Sequence, residues 1–411
     1  MTILIIFLII LAFLEFYGYK AIKTTFQTRA ALSRKIYKRI YFSLSVISLV
    51  SLILTYIYRD EPVYRNFLSS IVLAGVISKL ILFIFLFVDD IRRFFVWIFR
   101  KIAPEKIQGK PTGRPISRSE FLTTTGTVLA TAPLAVMAFG ISSGAYDYRV
   151  RREKVIIPHL PKSFHGLKIA QISDIHSGSF FNKTAVSGGV DMLLAEKPDV
   201  VFFTGDLVNN RALEMQEYVD IFKRIKAPLG VYSTLGNHDY GDYVQWATPE
   251  LKAANMVHLK EVHAALGWDL LNNENRILEQ SGDKIAIIGV ENWSNKGRFP
   301  KYGDMEIARQ NTEDAAVKLL LSHDPSHWEG EILPKYNDID VMFAGHTHGM
   351  QFGIEIGGFQ WSPVQYLYKQ WAGLYSQNNQ HLYVNRGYGF LGFPGRIGMP
   401  PEITIFELQQ S

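Results

Sequence analysis

Two histidines separated by one residue, His346 and His348, stand between glycines in Gly345-His346-Thr347-His348-Gly349, directly behind the apolar run Val341-Met342-Phe343-Ala344. Four further clusters follow short apolar or β-branched runs: Ser173-Asp174-Ile175-His176, Thr204-Gly205-Asp206, Gly236-Asn237-His238-Asp239 and Ser322-His323-Asp324. Mixed imidazole and carboxylate donors suit divalent Mn, Fe or Zn, and histidine also moves protons near neutral pH. Taken singly, each cluster also reads as a turn former or a helix cap. Five in this order, all at the ends of strand-like runs, point to a metal centre, because motif specificity multiplies when the expected context holds.

Those runs are the elements that must position the donors. Residues 167–172, 200–203, 230–235, 284–290, 317–321, 341–344, 382–384 and 403–406 are rich in β-branched and aromatic residues and predict strands. Between the first two, Val186, Val190, Leu193 and Leu194 recur at helical spacing and Pro198 ends the helix; residues 213–225 predict another. An α/β domain with two helix-covered sheets is expected, with its ligand crevice at the carboxyl ends of the strands. Where the chain is still extended, residues i and i+2 point the same way, so Asp174 and His176 face one centre, as do His346 and His348. By the same reasoning His238, next to Asn237, faces the opposite side and is free to meet a leaving group.

The first third of the chain is of another kind. Segments near 3–19, 40–58, 67–88 and 121–141 have the length and apolar content of membrane spans, so residues 1–145 form an all-α transmembrane region and 146–411 a separate α/β domain. A polar, basic linker at 103–115 precedes the fourth segment. Residues 1–145 hold 18 Lys+Arg against 7 Asp+Glu, whereas the remaining 266 hold 25 against 31. The basic pI therefore reports the membrane part, and nucleic acid is not an expected partner. Lys20 to Arg39 supply seven basic residues and no acid to the first loop, and the stretch from Arg92 to Arg118 is again basic. By the positive-inside rule both are cytoplasmic, which is expected to place the α/β domain on the outer side of the cytoplasmic membrane. Glu15 and Lys79 lie inside the spans at a shared depth, and read either as an intramembrane pair or as Glu15 snorkelling to the interface. No cysteine is present, so disulfides, thiolate metal ligands and a cysteine nucleophile are excluded.

The ordered set Asp174-x-His176, Gly205-Asp206, Gly236-Asn237-His238-Asp239, His323 and Gly345-His346-x-His348 resembles that of the calcineurin-like metallophosphoesterases, across roughly 167–408. With its membrane segments and a late Asn385-Arg386-Gly387, the chain looks most like the membrane-associated bacterial branch, which includes lipid-sugar pyrophosphatases and general phosphodiesterases. The resemblance implies a four-layer α/β/β/α sandwich with two metal ions between the sheet ends. One ion would be held by Asp174, His176, Asp206 and His348, the other by Asp206, Asn237, His323 and His346, with Asp206 as the bridge. It further implies cleavage of a phosphodiester or pyrophosphate by a hydroxide generated between the ions, of which manganese is one candidate. His238 would be the proton donor, Asp239 would orient it, and Asn237 would also meet the substrate. Arg386 reads either as a bidentate phosphate contact or as part of a surface turn. A phosphoester in or near the membrane, lipid-linked, is the implied substrate. Two other readings stand beside this one: a sensor or scaffold that binds metal without turnover, and a transporter-like core with an accessory domain. Met350 departs from the family, whose members often carry a glycine there.

Overall fold

The computed structural model describes residues 2–25, 31–59, 61–102, 118–297, 299 and 301–411, so the linker at 103–115 lies outside them. The chain divides into two compact units, Met1–Phe139 and Gly140–Ser411.

The first unit is helical: α1 Thr2–Thr25, α2 Ala31–Ile57, α3 Pro62–Ile102, α4 Arg118–Leu129 and the start of α5 Ala132–Ser142. Among the described residues three stretches are long and apolar enough to cross a membrane, Ala31–Ile57, Pro62–Phe99 and Phe121–Tyr146. The expected fourth segment is not one helix but two. Pro133 follows the break at Ala130 and Thr131, where its ring and missing N–H are incompatible with the interior of a continuous helix. The third helix runs well past the expected end at 88, because Arg92 and Arg93 bind Asp89 at 2.8 and 2.7 Å one turn on. Inside the bundle, Lys79 Nζ lies 2.5 Å from Glu15 Oε2, and Ser45 Oγ donates to Glu15 Oε1 at 2.8 Å. The pair is direct, and a serine satisfies the carboxylate's other oxygen.

The second unit is built on two six-stranded sheets. Its strands are β1 Arg149–Ile156, β2 Lys168–Ile172, β3 Val200–Thr204, β4 Val231–Thr234, β5 Asp269–Leu270, β6 Glu274–Gln280, β7 Asp283–Gly289, β8 Val317–Leu321, β9 Val341–Ala344, β10 Ile354–Ile356, β11 Phe359–Trp361, β12 Gly373–Gln377, β13 Gln380–Val384 and β14 Glu402–Gln409. One sheet runs β1-β14-β2-β3-β4-β5, the other β12-β13-β9-β8-β7-β6, and β10-β11 stands apart as a hairpin. Alternation along the strands produces three apolar layers. Val200 and Phe202 face Leu319, Leu321, Val341 and Phe343 between the sheets. Val201 and Phe203 pack outward against Val186, Val190 and Leu193 of α6 (Lys183–Ala195). On the far side Leu320 and Met342 pack against Trp328 and Ile332. These layers are the four-layer sandwich, with the central strands β3, β8 and β9 buried along their whole length as their unbroken apolar runs require.

The expected helix at 213–225 reduces to a 3-10 turn, Ala212–Met215, and a single α turn, α7 Val219–Phe222. An unexpected helix, α8 Pro249–Leu266, carries standard end signals: Thr248 caps it by accepting from Leu251 N, Pro249 opens it, and left-handed Gly267 closes it.

Candidate metal centre

Strands β2, β3 and β4 are adjacent and parallel, as are β8 and β9, so their carboxyl ends stop at one level in each sheet. All five donor clusters begin there. The chain does not stay extended through them, however. Asp174, His176, Asp206, His346 and His348 all have positive φ, between 48° and 72°. Each donor is therefore aimed by a left-handed turn, and Asn237 with His238 sits in a turn as well. Extended geometry therefore does not aim these side chains: Asp174 and His176 share a donor group, but His346 and His348 fall in different ones, all on left-handed backbone held by the sheet ends. Gly345 has no positive φ; a Cβ there would collide with Ser173 Oγ and Asp174 Oδ2, so glycine is required for the close approach of β2 and β9.

The donors form two groups, each offering one ligand atom per residue within 4.8 Å: Asp174, His176 and His348, and Asp206, His323 and His346. In the first, His176 Nε2 lies 3.1 Å from His348 Nε2, and Asp174 Oδ1 lies 3.2 Å from the latter nitrogen. In the second, His346 Nδ1 lies 3.3 Å from His323 Nε2. Asp206 Oδ2 is 3.1 Å from His323 Nε2 and 3.5 Å from His176 Nε2, so one oxygen reaches both groups.

Outer hydrogen bonds fix which nitrogens face inward. His323 Nδ1 lies 2.7 Å from Thr204 O, which only accepts, so Nδ1 carries the proton and Nε2 presents its lone pair. His346 Nε2 meets Tyr368 OH at 2.8 Å, which leaves Nδ1 for the centre. Burial opposes charge here, yet Asp206 beside it pushes the buried His323 up to about 10, so an ion that takes the Nε2 lone pair must displace a proton from it. Burial likewise opposes ionisation of Asp174, but His348 holds its carboxyl well below the usual range. The pocket thus keeps its carboxylates ionised and draws positive charge.

A divalent ion fits this donor set. His176 Nδ1 and Asn237 Oδ1 are buried without hydrogen-bond partners, and paired imidazole nitrogens converging on carboxylate oxygens are a metal-ligand arrangement. Asn237 Nδ2 is occupied by Tyr243 OH at 2.8 Å, so its free Oδ1 is the atom suited to a cation.

His238 is half-buried, with Nδ1 2.8 Å from Asn209 O and its ring 5.0 Å from that of His176. The orienting partner is thus Asn209, not Asp239. The Asp239 carboxylate instead accepts from the backbone N–H groups of Asp206, Leu207, Val208 and Gly236, binding two donor loops together. Arg386 is a second correction. Its side chain is 1% exposed, and its guanidinium lies 2.6 Å from Glu402 and 3.5 Å from Glu355. The buried arginine beside the centre is Arg396, whose Nη2 lies 3.3 Å from His348 Nδ1 and donates to the carbonyls of Arg386, Gly387 and Gly389. Tyr243, Tyr368, Asn209 and Arg396 were not expected at the site. Tyr368 lay within an aromatic-rich stretch and Arg396 within Gly395-Arg396-Ile397-Gly398, but neither pattern states a direction.

Residues 167–350 match the family described as calcineurin-like phosphoesterase, and residues 1–145 match the probable calcineurin-like phosphoesterase transmembrane domain. A Danio rerio transmembrane protein with metallophosphoesterase domain is 28% identical, over 77% of this chain and 70% of its own length. The phosphodiesterase YaeI of Escherichia coli is 24% identical, over 71% and 99%. The UDP-2,3-diacylglucosamine pyrophosphatase LpxG of Chlamydia muridarum is 30% identical, over 60% and 86%. The two donor groups at the strand ends and these matches have one reading: the chain belongs to the calcineurin-like phosphoesterase family and is a membrane-anchored, metal-dependent phosphoric ester hydrolase.

Proposed function

We propose that this enzyme cleaves a phosphodiester or pyrophosphate bond of a substrate held in or near the membrane, with its catalytic domain on the extracytoplasmic side. The observation that carries the reading is the shared Asp206 Oδ2, within 3.5 Å of an imidazole nitrogen of each donor group. Asp174, His176, Asp206 and His348 hold one ion, and Asp206, Asn237, His323 and His346 the other; nitrogen and carboxylate donors suit Mn, Fe or Zn. When bound, two such ions supply Lewis acidity and an acidified water for in-line displacement at phosphorus.

The chain's own residues do the rest. Thr204 and Tyr368 set the inward nitrogens of His323 and His346. Asn209 O fixes the His238 ring by Nδ1, so Nε2 delivers a proton to the departing oxygen. Asp239 holds the loops of Asp206 and Asn237 in register. A diester or pyrophosphate is preferred because similar proteins named for their reactions act on such bonds. The lipid-linked class is suggested by LpxG together with the membrane helices.

The test is hydrolysis of phosphomonoesters, phosphodiesters and lipid-linked pyrophosphates by the full chain in mixed micelles, with Mn, Zn, Mg and Fe compared. Turnover of diesters or pyrophosphates well above monoesters is expected. A folded, metal-loaded protein inert to the whole panel would instead support the sensor or scaffold reading.

A further inference from the structure

We propose that the β10–β11 hairpin docks its apolar face into the lipid interface of the bilayer that the chain's own helices cross. The two strands pair Ile354 with Trp361, Glu355 with Gln360 and Ile356 with Phe359. Opposed residues of an antiparallel pair share a face, so Ile354, Ile356, Phe359 and Trp361 form one side and Glu355 with Gln360 the other. In a water-soluble hairpin the apolar side packs inward. Here Glu355 of the polar side turns inward while Gln360 stays exposed: Arg151 grips Glu355 with two bonds of 2.8 and 2.6 Å, and Arg386 approaches it at 3.5 Å. The apolar side is left outward, with Ile356 72%, Phe359 61% and Ile354 46% exposed. Phe352 and Met350, at the foot of the hairpin, extend the same surface at 45% and 48%. Contiguous exposed apolar surface of this kind marks an interaction face, and a lone two-stranded hairpin is only marginally stable in water.

The bilayer is chosen over a protein partner because of what lies next to the hairpin. The foot of the hairpin is bonded to Ile397, which donates to Gln351 O at 2.7 Å and accepts from Gly353 N at 2.9 Å. Arg396, its neighbour, donates to Gly140 O at 3.1 Å. Gly140 lies within the candidate span Phe121–Tyr146. The hairpin is therefore one short segment, Arg396–Ile397, away from the C-terminal part of that candidate span. A tip of Ile356 and Phe359 around Gly357 and Gly358 suits the interface, where a short apolar face sinks ~5–10 Å. Residues 146–411 hold 25 basic against 31 acidic residues, so attraction to anionic lipid is not the driving term. The proposal rests on the membrane anchor and is independent of the substrate and of turnover.

Because the chain lacks cysteine, an introduced one takes the only thiol label. Full-length Ile356→Cys and Phe359→Cys, each carrying an environment-sensitive fluorophore, are placed one copy per nanodisc of phosphatidylcholine and phosphatidylglycerol. Glu279→Cys, at an exposed position of β6, is the reference. The expected result is blue-shifted emission, quenching by nitroxide-labelled lipid and loss of iodide quenching at 356 and 359 but not at 279, unchanged at raised ionic strength. Iodide quenching at 356 and 359 equal to that at 279 overturns the proposal, as does release by salt. Protection that arises only in discs holding two copies also overturns it and assigns the face to a second copy. Matching thermal melts of labelled and unlabelled protein establish that the signals come from folded chains.

Discussion

At the scale of single residues, His238 is separable from the metal ligands, since its ring is tethered to a backbone carbonyl and its own backbone N–H supports Asp206. His238→Ala keeps that backbone contact. It is expected to lower kcat on alkyl diesters by ~10²- to 10⁴-fold while elemental analysis still finds two ions; metal loss would make it a ligand instead. Tyr368→Phe removes the hydroxyl from His346 Nε2 and should weaken one ion by ~10-fold or more, read by metal titration; unchanged affinity for both ions would make the contact incidental. His263 gives a pH prediction away from the centre. It is fully buried beside Phe203 and Trp268, with Nδ1 3.0 Å from Ser233 Oγ, and burial pushes it down to about 3. A folded value below the ordinary ~6.5 means its contribution to stability is complete above that pH and is lost as pH falls toward the folded value. His263→Leu should flatten the fall in Tm between those limits, and parallel curves for the two proteins would refute this. The donors were legible because their types follow strand-like runs directly. Asp239 and Arg386 were not, because their partners depend on how the chain turns: four backbone amides for one, and Glu402 and Glu355 for the other.

At the scale of elements, the central strands were readable because they are buried on both sides and so carry unbroken apolar runs, whereas β1 and β6, polar and largely exposed, were not. Helix α8 was harder to see, since its exposed positions include Leu251 and Val257 and blur the apolar stripe. Its cap residues Thr248, Pro249 and Gly267 were the usable signal. The segment at 213–225 failed in the opposite sense: its apolar residues suit a helix, but Glu214 is drawn to the backbone N–H groups of Asn209, Asn210 and Arg211 and tightens the chain into a turn. In the membrane unit the ion pair between α1 and α3 is the element-level determinant. Glu15 is satisfied by Lys79 and Ser45 together, so removing either charge strands the other in an apolar setting. Glu15→Gln or Lys79→Met alone is expected to cost ~3 kcal/mol in resistance to SDS-induced unfolding, and the double variant much less. Additive losses would mean that the two charges do not support each other.

At the scale of the whole molecule, charge and covalent order act together. The membrane part carries the basic excess and the hydrolase domain the acidic one, which is the distribution expected when loops retained in the cytoplasm hold the Lys and Arg. In the proposed topology this rule puts the first basic loop and the stretch after α3 on the cytoplasmic side and the hydrolase domain on the other. An outward domain also matches the proposed chemistry, because a membrane-linked phosphoester on that side stays close to a site that cannot diffuse away. The absence of cysteine makes sidedness directly measurable. In intact cells, a membrane-impermeant maleimide is expected to label Glu279→Cys on exposed β6, whereas Lys38→Cys, exposed in the basic first part of α2, reacts only after permeabilisation. The reverse pattern would place the hydrolase domain in the cytoplasm, and the substrate would then have to be sought on the inner leaflet.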